Sequence, residues 1–305
     1  MAYSPFSPTP LSSLQQHSLG AVWQLYQVPK PNPVTDGVVR FGIMADPQYA
    51  DSDTANNRFY RQSLDKLSSA ISQLNEQPLS FVVTVGDFVD QYWQSFTPLL
   101  HCYEKLRHPH ASVIGNHDAD VISQHLAASA LPLPKHYYAF SVTGYRFVVI
   151  DGNDISLYCN AANGSDRTEA EKMLSVLQAA EKCHAQPWNG AVGETQLSWL
   201  EQQLIDAKAQ QECVIVFGHY PLTPENKHNL WNCEQIVSLL CRYQVRAYFA
   251  GHDHQGGHAR VQSTDFITLQ GMVEGDAIQP VFATVELNSN RLQLTGFGNE
   301  NSYLL

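Results

Sequence analysis

Five short polar motifs contain the side chains that could do chemistry in this 305-residue chain. Each motif directly follows an apolar run of the kind that forms a buried strand. The motifs are Asp46 with Gln48, Asp87 with Asp90, Asn116-His117-Asp118, His219, and His252-Asp253-His254. Carboxylate, amide and imidazole donors without a thiolate suit hard-to-borderline ions such as Mn²⁺, Fe or Zn²⁺. The pattern therefore predicts a metal centre.

Each motif alone has a simpler explanation. A single aspartate after a strand is usually a turn former or a helix cap, and Gly-Asn-His-Asp is a plausible β-turn. A lone histidine beside an apolar run is usually a core or surface residue. Five such coincidences, each directly after a strand, make these explanations improbable as a set. Glycine precedes Asp87, Asn116, His219 and His252, where it lets the chain turn sharply and approach a site closely.

The elements that must position these motifs can be predicted from hydrophobic patterning. Buried strands are predicted at Val38–Ala45, Phe81–Val85, Ser112–Ile114, Phe147–Ile150, Val214–Phe217 and Ala247–Ala250. Amphipathic helices are predicted at Arg58–Leu74, Thr195–Ala209 and Glu234–Tyr243, and antiparallel closing strands at Asp265–Leu269, Val281–Leu287 and Arg291–Thr295. The alternation indicates an α/β fold with both sheet faces covered. Because ligands bind at the carboxyl ends of such strands, we expect all five motifs at one sheet edge.

The rest of the chain limits the context of this site. We expect a Pro/Ser-rich irregular arm over residues 1–37, with one helical turn around Leu19–Tyr26, and one domain over residues 38–305. No run approaches the roughly 18 apolar residues of a membrane span, and the N-terminus lacks the pattern of a secretory signal. The six cysteines form no C-x-x-C pair and no disulfide-like array. These features predict a reduced, cytoplasmic protein without a membrane partner.

The charge balance argues against nucleic acid as a partner. Lys+Arg is 18 against Asp+Glu 29, a net charge of -11, whereas phosphate backbones recruit basic surfaces. A phosphate-bearing ligand would need local cations. Two ions about 3.5–4 Å apart, bridged by one carboxylate, would clamp a phosphoryl group and lower the pKa of a bound water. The acidic composition thus predicts that phosphate binding depends on metal.

Together the motifs resemble the calcineurin-like metallophosphoesterase superfamily, whose pattern is D-x-H, G-D-x-x-D, G-N-H-[DE], G-H and G-H-x-H. Four blocks match between about Val38 and His254, and Gln48 stands at the histidine of the first block. With this glutamine, the stretches RFYRQSL, WNGAVGETQLSWL, FAGHDHQGGH and LQGMVE resemble the manganese-dependent ADP-ribose/CDP-alcohol diphosphatase branch. An amide oxygen in place of a ring nitrogen makes the first site oxygen-rich, which favours Mn²⁺ or Mg²⁺ over Zn²⁺.

The resemblance implies a fold, a cofactor and a set of roles. The fold would be a four-layer α/β/β/α sandwich that binds two divalent ions, Mn²⁺ foremost, with Fe, Zn²⁺ or Mg²⁺ as alternatives. The first ion would be held by Asp46, Gln48, Asp87 and His254, and the second by Asp87, Asn116, His219 and His252. His117 would protonate the leaving oxygen or stabilise its charge, with Asp118 orienting its ring. Substrate contacts would come from Arg58, Asn189, Gly190 and His258.

The implied reaction is hydrolysis of the phosphoanhydride in a small nucleotide conjugate, ADP-ribose or a CDP-alcohol, by a metal-bridging hydroxide. The alternative is a phosphodiesterase acting on cyclic nucleotides or other phosphodiesters, and a non-catalytic scaffold is a third reading. Among the weaker candidates, Arg58 could lie on a solvated helix face, His258 could be an exposed loop residue, and Asn189-Gly190 could be a turn. Asp90 is expected to contact a metal-binding side chain or to cap a helix rather than to bind metal itself.

Overall fold

The computed structural model describes residues 12–126, 136–158, 164–276, 278–289 and 291–305. The described strands are β1 (Val39–Met44), β2 (Phe81–Thr84), β3 (His110–Ser112), β4 (Tyr138–Val142), β5 (Tyr145–Val149), β6 (Ile155–Ser156), β7 (Gly190–Ala191), β8 (Cys213–Phe217), β9 (Ala247–Ala250), β10 (Gln255–Val261), β11 (Thr264–Gln270), β12 (Phe282–Asn288), β13 (Arg291–Phe297) and β14 (Tyr303–Leu304). The described helices are α1 (Ser13–Trp23), α2 (Tyr60–Leu74), α3 (Phe96–Tyr103), α4 (Asn116–Leu126), α5 (Gly164–Ala179), α6 (Glu194–Ala209) and α7 (Cys233–Arg242).

The strands form two six-stranded sheets and a two-stranded ribbon of β6 and β7. Sheet I has the order β14-β13-β12-β1-β2-β3, in which β1, β2 and β3 run parallel and β12 pairs antiparallel with β1. Sheet II has the order β10-β11-β9-β8-β5-β4, with a parallel centre and antiparallel edge strands β10 and β4. The five predicted motifs therefore follow strands of two sheets, and the expectation of a single sheet edge is wrong.

The two sheets pack face to face through aromatic side chains. The ring of Phe41 on β1 lies 5.7 Å from those of Phe147 and Phe217 and 6.0 Å from that of Phe249, all three on sheet II. Because side chains alternate along a strand, Phe41 and Ile43 enter this inter-sheet core while Met44 packs on the other face.

Helices cover the outer faces of both sheets. Helices α1 to α4 contribute to the core on sheet I, and α6 and α7 contribute to the core on sheet II. The predicted four-layer α/β/β/α sandwich is thereby confirmed. Among the described residues, no helix combines the length and apolar character needed to cross a membrane.

The N-terminal segment differs from the prediction of an irregular arm. Helix α1 begins with a capping box between Ser12 and Gln15, a pairing that satisfies backbone donors at a helix start. Leu19, Val22 and the following Tyr26 are buried in the same core as α2 and α3. Apolar residues at helical spacing override the Pro/Ser-rich composition, so the helix begins at Ser13, and the turn predicted around Leu19–Tyr26 belongs to a longer helical segment. Residues 1–11 lie outside the described chain.

Candidate metal centre

Seven buried side chains converge where strands of the two sheets end. The loops after β1, β2 and β3 of sheet I and those after β8 and β9 of sheet II supply them. They are Asp46, Gln48, Asp87, Asn116, His219, His252 and His254, each at most 9% exposed. Each was predicted as a ligand from its position after a strand, and the structure brings all seven together.

Asp87 lies between two clusters of potential ligand atoms. The donor atoms of Asp46, Asp87 and His254 are within 4.8 Å of one another, and so are those of Asp87, His219 and His252. The Nε2 atom of His254 is 3.5 Å from Asp46 Oδ1, and the Nε2 atom of His219 is 3.4 Å from Asp87 Oδ2. One carboxylate shared by two such clusters is the arrangement that two neighbouring divalent ions require.

Two buried oxygens of this cluster have no hydrogen-bond partner. They are Gln48 Oε1 and Asp87 Oδ2. An unsatisfied buried acceptor costs about 1–3 kcal/mol, so unpartnered oxygens in a polar cluster indicate a missing ligand. Their chemistry, together with that of the neighbouring imidazoles, fits a pair of divalent cations.

Each of the three histidines has one ring nitrogen held by an oxygen. The contacts are His219 Nδ1 to Val85 O at 2.8 Å, His252 Nε2 to Asn189 Oδ1 at 2.9 Å, and His254 Nδ1 to Glu274 Oε1 at 2.9 Å. A nitrogen held by such an acceptor leaves the opposite nitrogen to face the cluster, where His219 Nε2 also lies 3.0 Å from Asn116 Oδ1. Such outer partners fix the tautomer and the ring orientation of metal-binding histidines.

The backbone at this centre adopts an uncommon conformation. Asp46, Gln48, Asp87, His252 and His254 have φ angles of 51°, 45°, 52°, 68° and 62°. Left-handed backbone in non-glycine residues costs on the order of 1–3 kcal/mol each and clusters at functional sites. Glycine is required at position 115, beside Asp87, because a Cβ there would lie 2.0 Å from Asp87 Oδ1.

The electrostatics show a strongly negative cluster. Burial alone would lower the pKa of His219 and of His254, but the Asp87 and Asp46 carboxylates outweigh it and raise the pKa of each ring to about 9. Burial opposes ionisation of Asp87, yet His219 and His117 hold the pKa of this carboxyl well below its usual range. Protons on the histidine rings therefore compensate the negative charge of the carboxylates. Bound cations would take over this role.

His117 is oriented by Asp90, not by Asp118. The ring nitrogen Nδ1 of His117 lies 2.9 Å from Asp90 Oδ1, and the second oxygen of Asp90 accepts the amide of Gln48 at 3.0 Å. Asp118 turns back from α4 and accepts the backbone N–H groups of Gly115, Phe88 and Val89. The structure therefore does not bring Asp118 to the ring that it was predicted to orient, because its oxygens accept from the loop backbone. Asp90 contacts Gln48, a predicted metal ligand, as expected.

Residues 39–256 match the family model of the calcineurin-like phosphoesterases. This chain belongs to that family. A rice protein named manganese-dependent ADP-ribose/CDP-alcohol diphosphatase is 30% identical, over 86% of this chain and 95% of its own. An Arabidopsis thaliana protein of the same name is also 30% identical, over 84% and 93%. The crystal structure of a dimetal phosphatase from Danio rerio, 27% identical, superposes with a TM-score of 0.80 over 88% of this chain and 99% of its own. The resemblance seen in the motifs is confirmed.

A cavity of about 300 Å³ opens onto the metal centre of this phosphoesterase. Its walls include Arg58, His117, Trp188 and His228 as well as ligand residues. The structure thus brings Arg58, one of the predicted substrate contacts, to the site. His117 is 26% exposed in its side chain and faces the same space.

The other predicted substrate contacts do not line this cavity. Asn189 is fully buried and contacts the ring of His252, while Gly190 lies in β7, where a Cβ would stand 2.3 Å from Gly152 O. His258 lies on β10, with Nε2 3.0 Å from Asp265 Oδ1. The structure therefore does not bring these three residues to the cavity, because each is held in a contact within the fold.

Two residues of the phosphoesterase site escaped prediction. Glu274 holds the His254 ring and also accepts the Asn57 amide, and the loop that carries it is fixed by Lys66, whose buried Nζ donates to three backbone carbonyls. His228 approaches the His252 ring to 5.1 Å between centroids. Neither Glu274 nor His228 stands directly after a predicted buried strand, as the five motifs do. Glu274 nevertheless ends the stretch LQGMVE, which carries part of the family resemblance.

Proposed function

We propose that this phosphoesterase hydrolyses the phosphoanhydride of nucleoside diphosphate conjugates such as ADP-ribose and CDP-alcohols, with Mn²⁺ as its metal. The observation that carries the proposal is the oxygen-rich cluster around Asp87, in which Gln48 presents an unpartnered amide oxygen. The names of the rice and Arabidopsis relatives support the substrate class.

The ligand sets follow from the two clusters that share Asp87. Asp46, Gln48, Asp87 and His254 would hold one ion, and Asp87, Asn116, His219 and His252 would hold the other. When bound, two divalent ions supply an activated water and neutralise charge on the transferred phosphoryl group.

The protein side chains supply proton transfer and orientation. Because Asp90 engages Nδ1 of His117, Nε2 is the ring nitrogen that faces substrate and can donate a proton to the leaving phosphate oxygen. Burial opposes protonation of His117, but Asp87 and Asp90 raise the pKa of this ring, which favours the proton-donating form. Arg58, on the cavity wall, would bind the phosphate that is not attacked.

The test is a matrix of metals and substrates. The purified protein is incubated with Mn²⁺, Mg²⁺ or Zn²⁺ and with ADP-ribose, CDP-choline, CDP-glycerol, 2′,3′-cyclic AMP or a chromogenic phosphodiester, and products are identified by chromatography. We expect the diphosphates with Mn²⁺ to be fastest, with AMP and ribose 5-phosphate formed from ADP-ribose. Faster cleavage of the cyclic nucleotide or the phosphodiester would favour the alternative activity. Absence of turnover with any pair would favour a binding scaffold.

His117→Ala separates catalysis from metal binding in the same assay. This variant is expected to bind Mn²⁺ as the wild type does and to lose about 10²–10⁴-fold in kcat, the usual contribution of a positioned general acid. Retention of more than a tenth of the wild-type kcat would contradict the role of His117.

We further propose a reducing, cytoplasmic setting. Cys102, Cys183, Cys213, Cys233 and Cys241 are free thiols in the described chain, which supports this location. Labelling of unpurified cell extract with a thiol reagent, before any reductant is added, tests it. Protection of these cysteines as disulfides would contradict the proposal.

A further inference from the structure

A second cluster of metal-binding side chains lies in the loops outside the central cavity. The donor atoms of Cys183, His184 and Glu225 are within 4.8 Å of one another, and Cys183 Sγ is 3.7 Å from Glu225 Oε1. With Zn–S and Zn–O bonds of about 2.3 and 2.0 Å in a tetrahedral site, sulfur and oxygen ligands stand about 3.5 Å apart. We propose that these three residues, the outer site, bind one Zn²⁺ or a similar thiolate-preferring ion.

The histidine carries the strongest evidence for the outer site. His184 is only 3% exposed, and its buried Nδ1 has no hydrogen-bond partner. The backbone of Trp231 lies beside the same ring and favours its protonated form. Metal-binding histidines commonly donate one ring N–H to a backbone carbonyl, which leaves the lone pair of the other nitrogen for the ion. Without a ligand, this buried nitrogen would cost about 1–3 kcal/mol.

The other two ligands give the ion access and balance its charge. Cys183 and Glu225 are exposed at the surface beside the buried ring. Burial and the nearby Glu225 raise the pKa of the Cys183 thiol, so binding of an ion would release its proton. A thiolate and a carboxylate then neutralise a dication. The adjacent Lys182 does not oppose the ion strongly, because its Nζ is paired with Glu234 at 2.7 Å.

The donor type separates the outer site from the central one. Thiolate with imidazole favours Zn²⁺ over Mn²⁺ or Mg²⁺, whereas the described ligand set of the central site contains no thiolate. The two sites would therefore take different ions from the same solution.

One side chain connects the two sites. The amide Nδ2 of Asn189 donates to His184 O at 3.0 Å and to Lys227 O at 2.9 Å, while Oδ1 of Asn189 holds the His252 ring. An ion that joins Cys183 and His184 to Glu225 would hold together the two segments whose carbonyls fix Asn189. We expect the outer ion to stabilise the wall that supports His252.

Cobalt spectroscopy tests the site in the full-length protein. The protein is titrated with Co²⁺ alone, and the sulfur-to-cobalt charge-transfer absorption in the near ultraviolet is recorded. This band requires a cysteine ligand, so cobalt in the thiolate-free central site does not produce it. We expect the band in the wild type, its displacement by Zn²⁺, and its loss in Cys183→Ser. Absence of the band in the wild type, or its persistence in Cys183→Ser, would overturn the proposal.

Two further variants test the carboxylate ligand. Glu225→Gln is expected to weaken Co²⁺ binding, read from the same band, by about tenfold or more. Glu181→Gln is the matched control, an exposed carboxylate close in sequence that is not one of the three ligands, and it should leave the band and the affinity unchanged. Equal effects of the two changes would contradict ligation by Glu225.

Thermal unfolding provides a readout that does not depend on a spectrum. Zn²⁺ should raise the unfolding midpoint of the wild type more than that of Cys183→Ser, because both proteins keep the central site and differ only at the outer one. An equal rise in the two proteins would overturn the stabilising role.

Discussion

The two halves of the central site are built from different donors. On the ligand sets proposed above, the oxygen-rich half would consist of Asp46, Gln48 and His254, and the nitrogen-rich half of Asn116, His219 and His252, with Asp87 between them. The single imidazole of the first half is backed by a carboxylate, whereas both imidazoles of the second are backed by neutral carbonyl oxygens.

The outer partners explain how one cavity can offer two different environments. A carboxylate behind a histidine raises the basicity of the ring more than a neutral carbonyl does. Oxygen donors favour harder ions than nitrogen donors do. Each half can therefore be adjusted through its own ligands and partners, whereas Asp87 and Asp90 each act on more than one feature of the site.

Removal of the shared carboxylate should have the largest effect. Asp87→Ala is expected to abolish Mn²⁺ binding in both halves and to reduce hydrolysis to background, because it removes the one group common to the two clusters. Isothermal titration calorimetry with Mn²⁺ measures the binding. Asp53→Ala, which removes an exposed carboxylate paired with Arg61, is the control and should keep both ions. One ion bound with wild-type affinity by Asp87→Ala would show that the halves are independent.

The second largest effect is expected at Asp90, and it distinguishes the role of Asp90 from that of Asp118. Asp90→Asn is expected to lower kcat by about 10²-fold with little change in stability, because Asp90 orients His117 and also holds the Gln48 amide. Asp118→Asn should instead lower the free energy of unfolding by about 1–3 kcal/mol, since an amide oxygen cannot replace two carboxylate oxygens that accept three N–H groups. Steady-state kinetics and urea unfolding distinguish them. The reverse pattern would return the orienting role to Asp118.

A smaller effect is expected from the partner of His254. Glu274→Gln keeps an oxygen acceptor but removes its charge, so Mn²⁺ affinity of the oxygen-rich half should fall about tenfold. Calorimetric titration should show one weakened binding step and one unchanged step, and the unchanged step is the internal control. Equal weakening of both steps would mean that the two halves are not separately adjusted.

The smallest expected change is in metal preference. Gln48→His replaces the unpartnered amide oxygen with a ring nitrogen, which should raise the ratio of Zn²⁺-supported to Mn²⁺-supported activity several-fold. Rates are measured for wild type and variant with each metal at saturation. An unchanged ratio would show that Gln48 does not set the metal preference of its half.

The positions of the ligands could be predicted because their signal is local. A glycine and a polar side chain directly after a buried strand identify a strand end, and β9 at Ala247–Ala250 agrees with its predicted range. The α/β class followed from the same alternation.

Other features depend on contacts that the sequence pattern does not show. Hydrophobic periodicity does not show which strands pair, so patterning alone predicted one sheet edge, and the two sheets were implied only by the family resemblance. The partner of His117 depends on where side chains point across a loop, and Asp90 and Asp118 are equally suited by residue type. Helix α1 was predicted only as one turn around Leu19–Tyr26, because its proline- and serine-rich surroundings concealed how far the helix extends.

The pairing of β1 with β12 has a consequence for how the protein is made. Strand β1 carries the first two ligand positions at its end, yet one of its two neighbours is β12, where Val39 stands opposite Leu287. A chain emerging from the ribosome cannot complete this pairing until β12 has been synthesised, and such distant contacts form slowly. The strand before Asp46 thus waits for its second neighbour until β12 has emerged, so newly made chains acquire the complete site only after that point.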